Sequence, residues 1–250
     1  MERSYGADKK EEKIGFEMTT KEKAYPYLKN STIEKESAKL LESFCKDKGQ
    51  KIAAPVPVFD IIEHLGYDVD FRKDGIYEDK NLLGGTLIDQ KTIEINENLI
   101  DHEGRMHFTA AHEVGHIVLH VPFYNEKHGK DISEDKIISR KDCGFEGTKK
   151  EPEEWQADKF AAFLLMPTDL MKKAFFNVYK RPVNVRKKRI IELFFPKPAF
   201  VKGYAVAKEV LDAGNFKNVS KMAMLNRLIG MRLIRGLSYQ KTSPRNEKRS

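Results

Sequence analysis

Residues 105–120 read RMHFTAAHEVGHIVLH. Two histidines, His112 and His116, stand four positions apart, with Glu113 between them. On a helix, residues i and i+4 lie one turn apart on one face, so both imidazoles can reach a single ion. Glu113 falls beside that face, where a carboxylate can take a proton from water without competing as a ligand. Phe108, Ala111, Val114, Ile117 and Val118 make the stretch apolar nearly all round, which predicts a buried helix over Arg105–His120. Incidental core histidines explain it poorly, because two imidazoles and a carboxylate are costly to bury without partners. Gly115 costs about 1 kcal/mol relative to Ala inside a helix and so points to close packing.

Zinc suits this donor set, since it accepts imidazole nitrogen and, in catalytic sites, keeps one position open. A third protein ligand is then required. The HExxHxxGxxH arrangement fails, because its last position is Pro122. His120 lies one turn beyond His116, but a third ligand on the same helix strains a tetrahedral site. The better source is a second helix, predicted over Glu154–Met166, in EEWQADKFAAFLLMP. Glu154 and Asp158 share a face there. Glu154 can supply the carboxylate ligand, and Asp158 can accept the free N–H of a ligand histidine and hold its ring. Glu153 is the rival ligand, although it has no acidic partner four residues on.

Working outward, Ile33, Ala38, Leu41 and Phe44 predict a helix from about Ser31 to Lys48, capped by Ser31 or Thr32. FDIIEHLGY predicts a short helix closed by a left-handed Gly66. Three strands follow, at Tyr67–Phe71, Gly85–Ile88 and Thr92–Asn96, the last two flanking the turn Asp89–Gln90–Lys91. They predict a small antiparallel meander. Residues 121–153 are polar and charged, and are expected to form a long loop or insertion. Further amphipathic stretches lie near Asp169–Tyr179, Tyr204–Ala213 and Ser220–Leu228.

The chain has 250 residues, 40% of them hydrophobic and 33% charged, enough for a real core under a heavily solvated surface. No apolar run approaches the length of a membrane-spanning helix, and no secretory h-region is visible at the start. Two cysteines, Cys45 and Cys143, exclude a disulfide framework, and neither belongs to a CxxC pair. Cys143 on a mobile loop could reach the open metal position, although a free thiol is the simpler reading. The expected location is the cytoplasm. The net charge of +7 hides a −9 balance over residues 1–170 and +16 over 171–250. That basic last third suits nucleic acid, an acidic protein patch or the chain's own acidic front, or is simply a solvated face.

Several blocks together resemble the ImmA/IrrE metallo-endopeptidases. They are VFDIIEHLGYDVDF, TIEIN, RMHFTAAHEVGHIVLH, EEWQADKFAAFLLMP and NVSKMAMLNRLIGMRLI, in that order, between about Ile33 and Ile234. The resemblance implies one zinc ion held by His112, His116 and Glu154, as in gluzincins, with Glu113 as general base. It also implies a cytoplasmic enzyme that cuts a helix-turn-helix transcriptional repressor. Residues 121–153 depart from the pattern by their length and charge.

The expected architecture is α+β, with a small antiparallel sheet packed against a helical bundle and a zincin-like active-site helix. The expected organisation is a loosely ordered segment over residues 1–30, a peptidase domain over 31–235 with its insertion at 121–153, and a disordered basic tail over 236–250. His107, His120 and Tyr124 are candidates for stabilising the transition state. A protein substrate, and not a membrane, is the expected partner. The alternative is a non-proteolytic regulator or toxin-like module that binds a repressor or DNA, with a structural zinc.

Overall fold

The computed structural model describes residues 26–73, 76, 82–123, 137–141, 151–186 and 198–238, with 137–141 described by their backbone. Tyr124, Cys143 and most of the proposed insertion, together with residues 1–25 and 239–250, lie outside the described residues.

The chain forms an α+β fold in which one buried helix sits between a sheet and other helices. Helix α1 spans Asn30–Lys48 and buries Ile33, Leu40, Leu41 and Phe44. It starts one residue before Ser31, after Lys29, and no side chain caps its first turn, so the expected Ser31 or Thr32 cap is not made. It ends on Gly49 at φ 62°, a left-handed position that costs glycine little. Helix α2, Val58–His64, closes as expected through Gly66 at φ 75°, with the Tyr67 amide donating to the Ile62 carbonyl.

Strands β1 (Asp68–Arg72), β2 (Leu82–Leu87) and β3 (Thr92–Asn96) follow. β2 and β3 form the expected antiparallel hairpin, with Leu87 opposite Thr92 and Lys91 in a left-handed turn position. β1 does not continue an antiparallel meander. It pairs parallel to β3, Asp68 opposite Thr92, so that β3 lies between β1 and β2. Apolar alternation fixes which face a strand buries and carries no information about the direction of its neighbour. The fourth strand was not expected: Ile137–Lys141 within the stretch read as a loop form β4, antiparallel to β2, and the order is β1–β3–β2–β4.

Helix α3 spans Glu103–Leu119 and α4 spans Pro152–Leu165. Pro152 opens α4, where a missing N–H costs nothing, and Glu153 and Glu154 sit in its first turn, which suits the helix dipole. Helices α5 (Thr168–Val178), α6 (Ala199–Ala213) and α7 (Lys221–Gly230) complete the bundle. The Ser220 hydroxyl caps α7 by accepting from the Ala223 amide at 3.1 Å. A two-residue parallel pair, β5 (Val183–Asn184) with β6 (Ile234–Arg235), ties the end of the bundle back to the turn after α5.

The core is continuous. Ile93 and Ile95 of β3, Ala110, Ala111 and Val114 of α3, Phe160 and Leu164 of α4 and Leu225 and Leu228 of α7 all belong to one buried cluster. Arg227 faces inward from α7, donating to Thr168 Oγ1 at 2.8 Å and Glu34 Oε1 at 3.2 Å, with its guanidinium 4.5 Å from the Phe163 ring. The basic residue of the MLNRL block therefore locks helices together. Among the described residues, no helix is long and apolar enough to cross a membrane.

Candidate metal centre

The nine consecutive residues Thr109–Ile117 of α3 are all buried. The helix can be that deeply placed because its neighbours come close on two sides. On one side is α4. A Cβ on Gly115 would stand 3.1 Å from the Cα and carbonyl oxygen of Ala157 and 3.1 Å from Phe160 Cβ. On the other is β2. A Cβ on Gly84 would meet Thr109 Cγ2 at 2.5 Å and Glu113 Oε1 at 3.0 Å. Both glycines exist for the approach of a neighbour, and together they fix how far the α3 histidines stand from α4.

That spacing sets the stability cost of altering it. Gly115→Ala regains about 1 kcal/mol of helix propensity but overpacks a tight contact with the α4 backbone at a cost of roughly 1–3 kcal/mol, so a net loss of up to about 2 kcal/mol is expected. Thermal melting checks this, and a raised melting temperature would show that the two helices are not locked at this distance.

His112 and His116 project toward the first turn of α4. Their Nε2 atoms are 3.0 Å apart. Glu154 Oε2 lies 3.3 Å from His112 Nε2, and Glu154 Oε1 lies 3.2 Å from His116 Nε2. One ligand atom from each of the three residues lies within 4.8 Å of the others, and Glu153 is not in this group. Both histidines are fully buried, whereas the Glu154 side chain is 21% exposed, so the group opens to solvent on the α4 side.

The outer nitrogens are also engaged. His112 Nδ1 lies 2.9 Å from Asp158 Oδ1, so Nδ1 carries the hydrogen and Nε2 presents a lone pair. His116 Nδ1 lies 2.9 Å from His120 Nδ1, and His120 Nε2 lies 3.3 Å from Gln156 Oε1. Burial, and then the neighbouring His116, hold the His120 pKa down to about 4, so its ring is neutral. His107 is elsewhere. It is five residues before His112, about 140° round the helix, with its ring 5.1 Å from Phe59 and its Nδ1–H donating to the Glu103 carbonyl at 2.9 Å.

Two lone pairs and two carboxylate oxygens thus converge with no donor among them. Four acceptors at these separations repel unless a cation lies between them. The separations of 3.0–3.3 Å are near the roughly 3.3 Å edge of a tetrahedron built on zinc–nitrogen bonds of about 2.0–2.1 Å. The residues present fit a single divalent cation.

Glu113 stands beside this group, fully buried. Its Oε2 accepts from Thr86 Oγ1 at 2.9 Å, and its Oε1 has no partner among the described residues. Burial pushes its carboxyl up, against the pull of His112, His116 and the Thr86 hydroxyl. Thr86, Gly84 and Gln156 were not read from the sequence. The paired glycines in LLGGTL were the available signal, since glycine inside a strand marks a close backbone approach. Gln156 gave no signal, because its use depends on where His120 ends up.

Residues 63–181 match the model of the IrrE N-terminal-like domain of the M78 peptidases, a span running from α2 to just beyond α5 and including the sheet, α3 and α4. No curated protein matches the chain.

Proposed function

With residues 63–181 carrying an IrrE N-terminal-like peptidase domain, we propose that this chain is a zinc-dependent endopeptidase. Its substrate is a helix-turn-helix transcriptional repressor. The observation that carries the enzymatic reading is the donor-free meeting of His112, His116 and Glu154 beside a buried carboxylate, Glu113, with one oxygen that has no partner among the described residues.

A zinc ion held by those three side chains supplies Lewis acidity, which polarises a carbonyl and makes water a better acid. The rest is done by the protein's own groups. Thr86 fixes one oxygen of Glu113 and leaves Oε1 to take a proton from the attacking water. Burial favours the protonated form of that carboxyl, so Glu113 retains the proton until the leaving amine accepts it. Asp158 holds the ring of His112 by accepting from Nδ1–H. Gly84 and the buried wall of α3 keep bulk water away from Glu113.

The repressor substrate and a cytoplasmic location are both supported by the block resemblance. The role assigned to His120 is positioning, since both its ring nitrogens face protein groups behind His116.

Purified chain is to be incubated with candidate helix-turn-helix repressors, beginning with any encoded by a neighbouring gene, with and without a chelator. A discrete cut that chelation stops and zinc restores is expected. A cut indifferent to chelation, or no cut by zinc-loaded protein, would overturn the reading.

A further inference from the structure

His116 differs from His112 in what stands behind it. His112 has a carboxylate, Asp158, on its outer nitrogen, whereas His116 has another imidazole. An imidazole can donate or accept, so by itself it does not decide which tautomer His116 adopts. Two further hydrogen bonds decide it. The Gln156 amide donates through Nε2 to the Pro26 carbonyl at 3.0 Å, which turns its Oε1 toward His120. That oxygen can only accept, so His120 Nε2, 3.3 Å away, carries the hydrogen. His120 Nδ1 is then a lone pair and accepts from His116 Nδ1–H at 2.9 Å. His116 Nε2 is left with its lone pair aimed at the His112–Glu154 group.

We propose that His120 and Gln156 are positioning residues that hold His116 in its metal-binding tautomer, through a one-directional hydrogen-bond chain anchored on Pro26. This rests on the metal reading above. The His116–His120 and His120–Gln156 links are buried, with His120 and Gln156 about 1% exposed and His116 fully enclosed, whereas the Gln156–Pro26 link is part-buried beside an exposed Pro26. Water therefore offers no substitute partner if either of the two inner links is cut. Pro26 lies 130 residues from Gln156 in sequence and ahead of the peptidase-like span, so the centre is held partly from outside that span. Tyr27 stacks on Trp155 at 5.9 Å, which fastens the anchoring segment to the turn of α4 that bears Glu154.

The test is zinc affinity of the full chain, measured by competition with a chromophoric chelator. Zinc titration of the fluorescence of Trp155, the single tryptophan, gives a second readout. His120→Phe keeps the ring and removes the acceptor. It is expected to weaken zinc about 10–100-fold, the usual cost of losing such an outer partner. His120→Asn puts an oxygen one bond beyond Cγ, where Nδ1 stands, and is expected to recover most of that loss. Gln156→Leu is expected to weaken zinc on its own and to add little in the His120→Phe background, because one chain is already cut. Melting of the metal-free variants reports whether they fold, and the absorption of bound cobalt(II) reports whether ligand geometry is kept. Equal losses in the Phe and Asn variants, or wild-type affinity in the Phe variant, would overturn the proposal. A wild-type chain that takes up no zinc overturns the metal reading and this inference with it.

Discussion

Replacing Glu113 by Gln is expected to lower cleavage of the repressor on the order of 10³-fold or more, within the span that a positioned general base contributes, while zinc uptake stays at the wild-type level. The amide keeps the shape of the carboxylate and can still meet the Thr86 hydroxyl, so the Gly84 wall and the α3–β2 contact survive. What it loses is the ability of Oε1 to take a proton. A factor of 10³ is about 4 kcal/mol of transition-state stabilisation, far more than a single neutral hydrogen bond supplies. Because the fully buried carboxyl is disfavoured as an anion, its removal leaves the metal-free melting temperature no lower than that of wild type. Cleavage rate, zinc stoichiometry and melting are to be measured on one preparation. A variant that cuts the repressor at the wild-type rate would remove Glu113 from the chemistry. A variant that is inactive as a peptidase yet switches the same genes would favour the regulator alternative.

The reason Glu113 could be singled out from sequence is that a helix has a fixed pitch. Spacing of four determines that His112 and His116 share a face, and no tertiary contact can alter it. The same holds for Glu154 and Asp158 on α4, which the structure brings to opposite ends of the His112 ring. Contacts within one helix are legible because the chain itself measures the distance. The sheet was less so. Strand periodicity placed TIEIN correctly but left its partner undetermined, and the parallel β1–β3 pairing comes from a hairpin that returns β3 beside β1. β4 lies in a charged stretch with a weak apolar signal, and its pairing with β2 sets the order of the sheet. Thr86, Gly84 and Gln156 were hidden for a third reason. Each matters only through what stands opposite it, across 27 positions in the case of Thr86 and Glu113, and nothing local marks a residue for such a role.

Removing Glu154 is expected to affect metal binding as strongly as removing Glu113 affects turnover. Zinc in small structural sites with four protein ligands is worth about 10–16 kcal/mol, so one ligand carries roughly 2.5–4 kcal/mol. Glu154→Ala should thus weaken zinc on the order of 10²–10³-fold. The geometry explains why the remaining pair cannot compensate. With the carboxylate gone, His112 and His116 still offer two lone pairs 3.0 Å apart, but both come from one helix and can close on only one side of an ion. The negative charge that balances the cation is lost as well. Glu154→Gln separates the two effects, because it keeps an oxygen in place and removes only the charge, and it is expected to fall between wild type and Glu154→Ala. Glu153→Ala supplies the internal comparison. Glu153 shares the first turn of α4 but is absent from the group of converging ligand atoms, so its removal is expected to leave zinc affinity close to wild type. Chelator competition on the three variants orders them. Zinc-dependent stabilisation follows the same order, since a ligand that binds only the folded state raises its melting temperature according to affinity. If Glu153→Ala lost zinc and Glu154→Ala kept it, the third ligand would be the neighbouring carboxylate, and α4 would have to turn by one residue, about 100°, to present it.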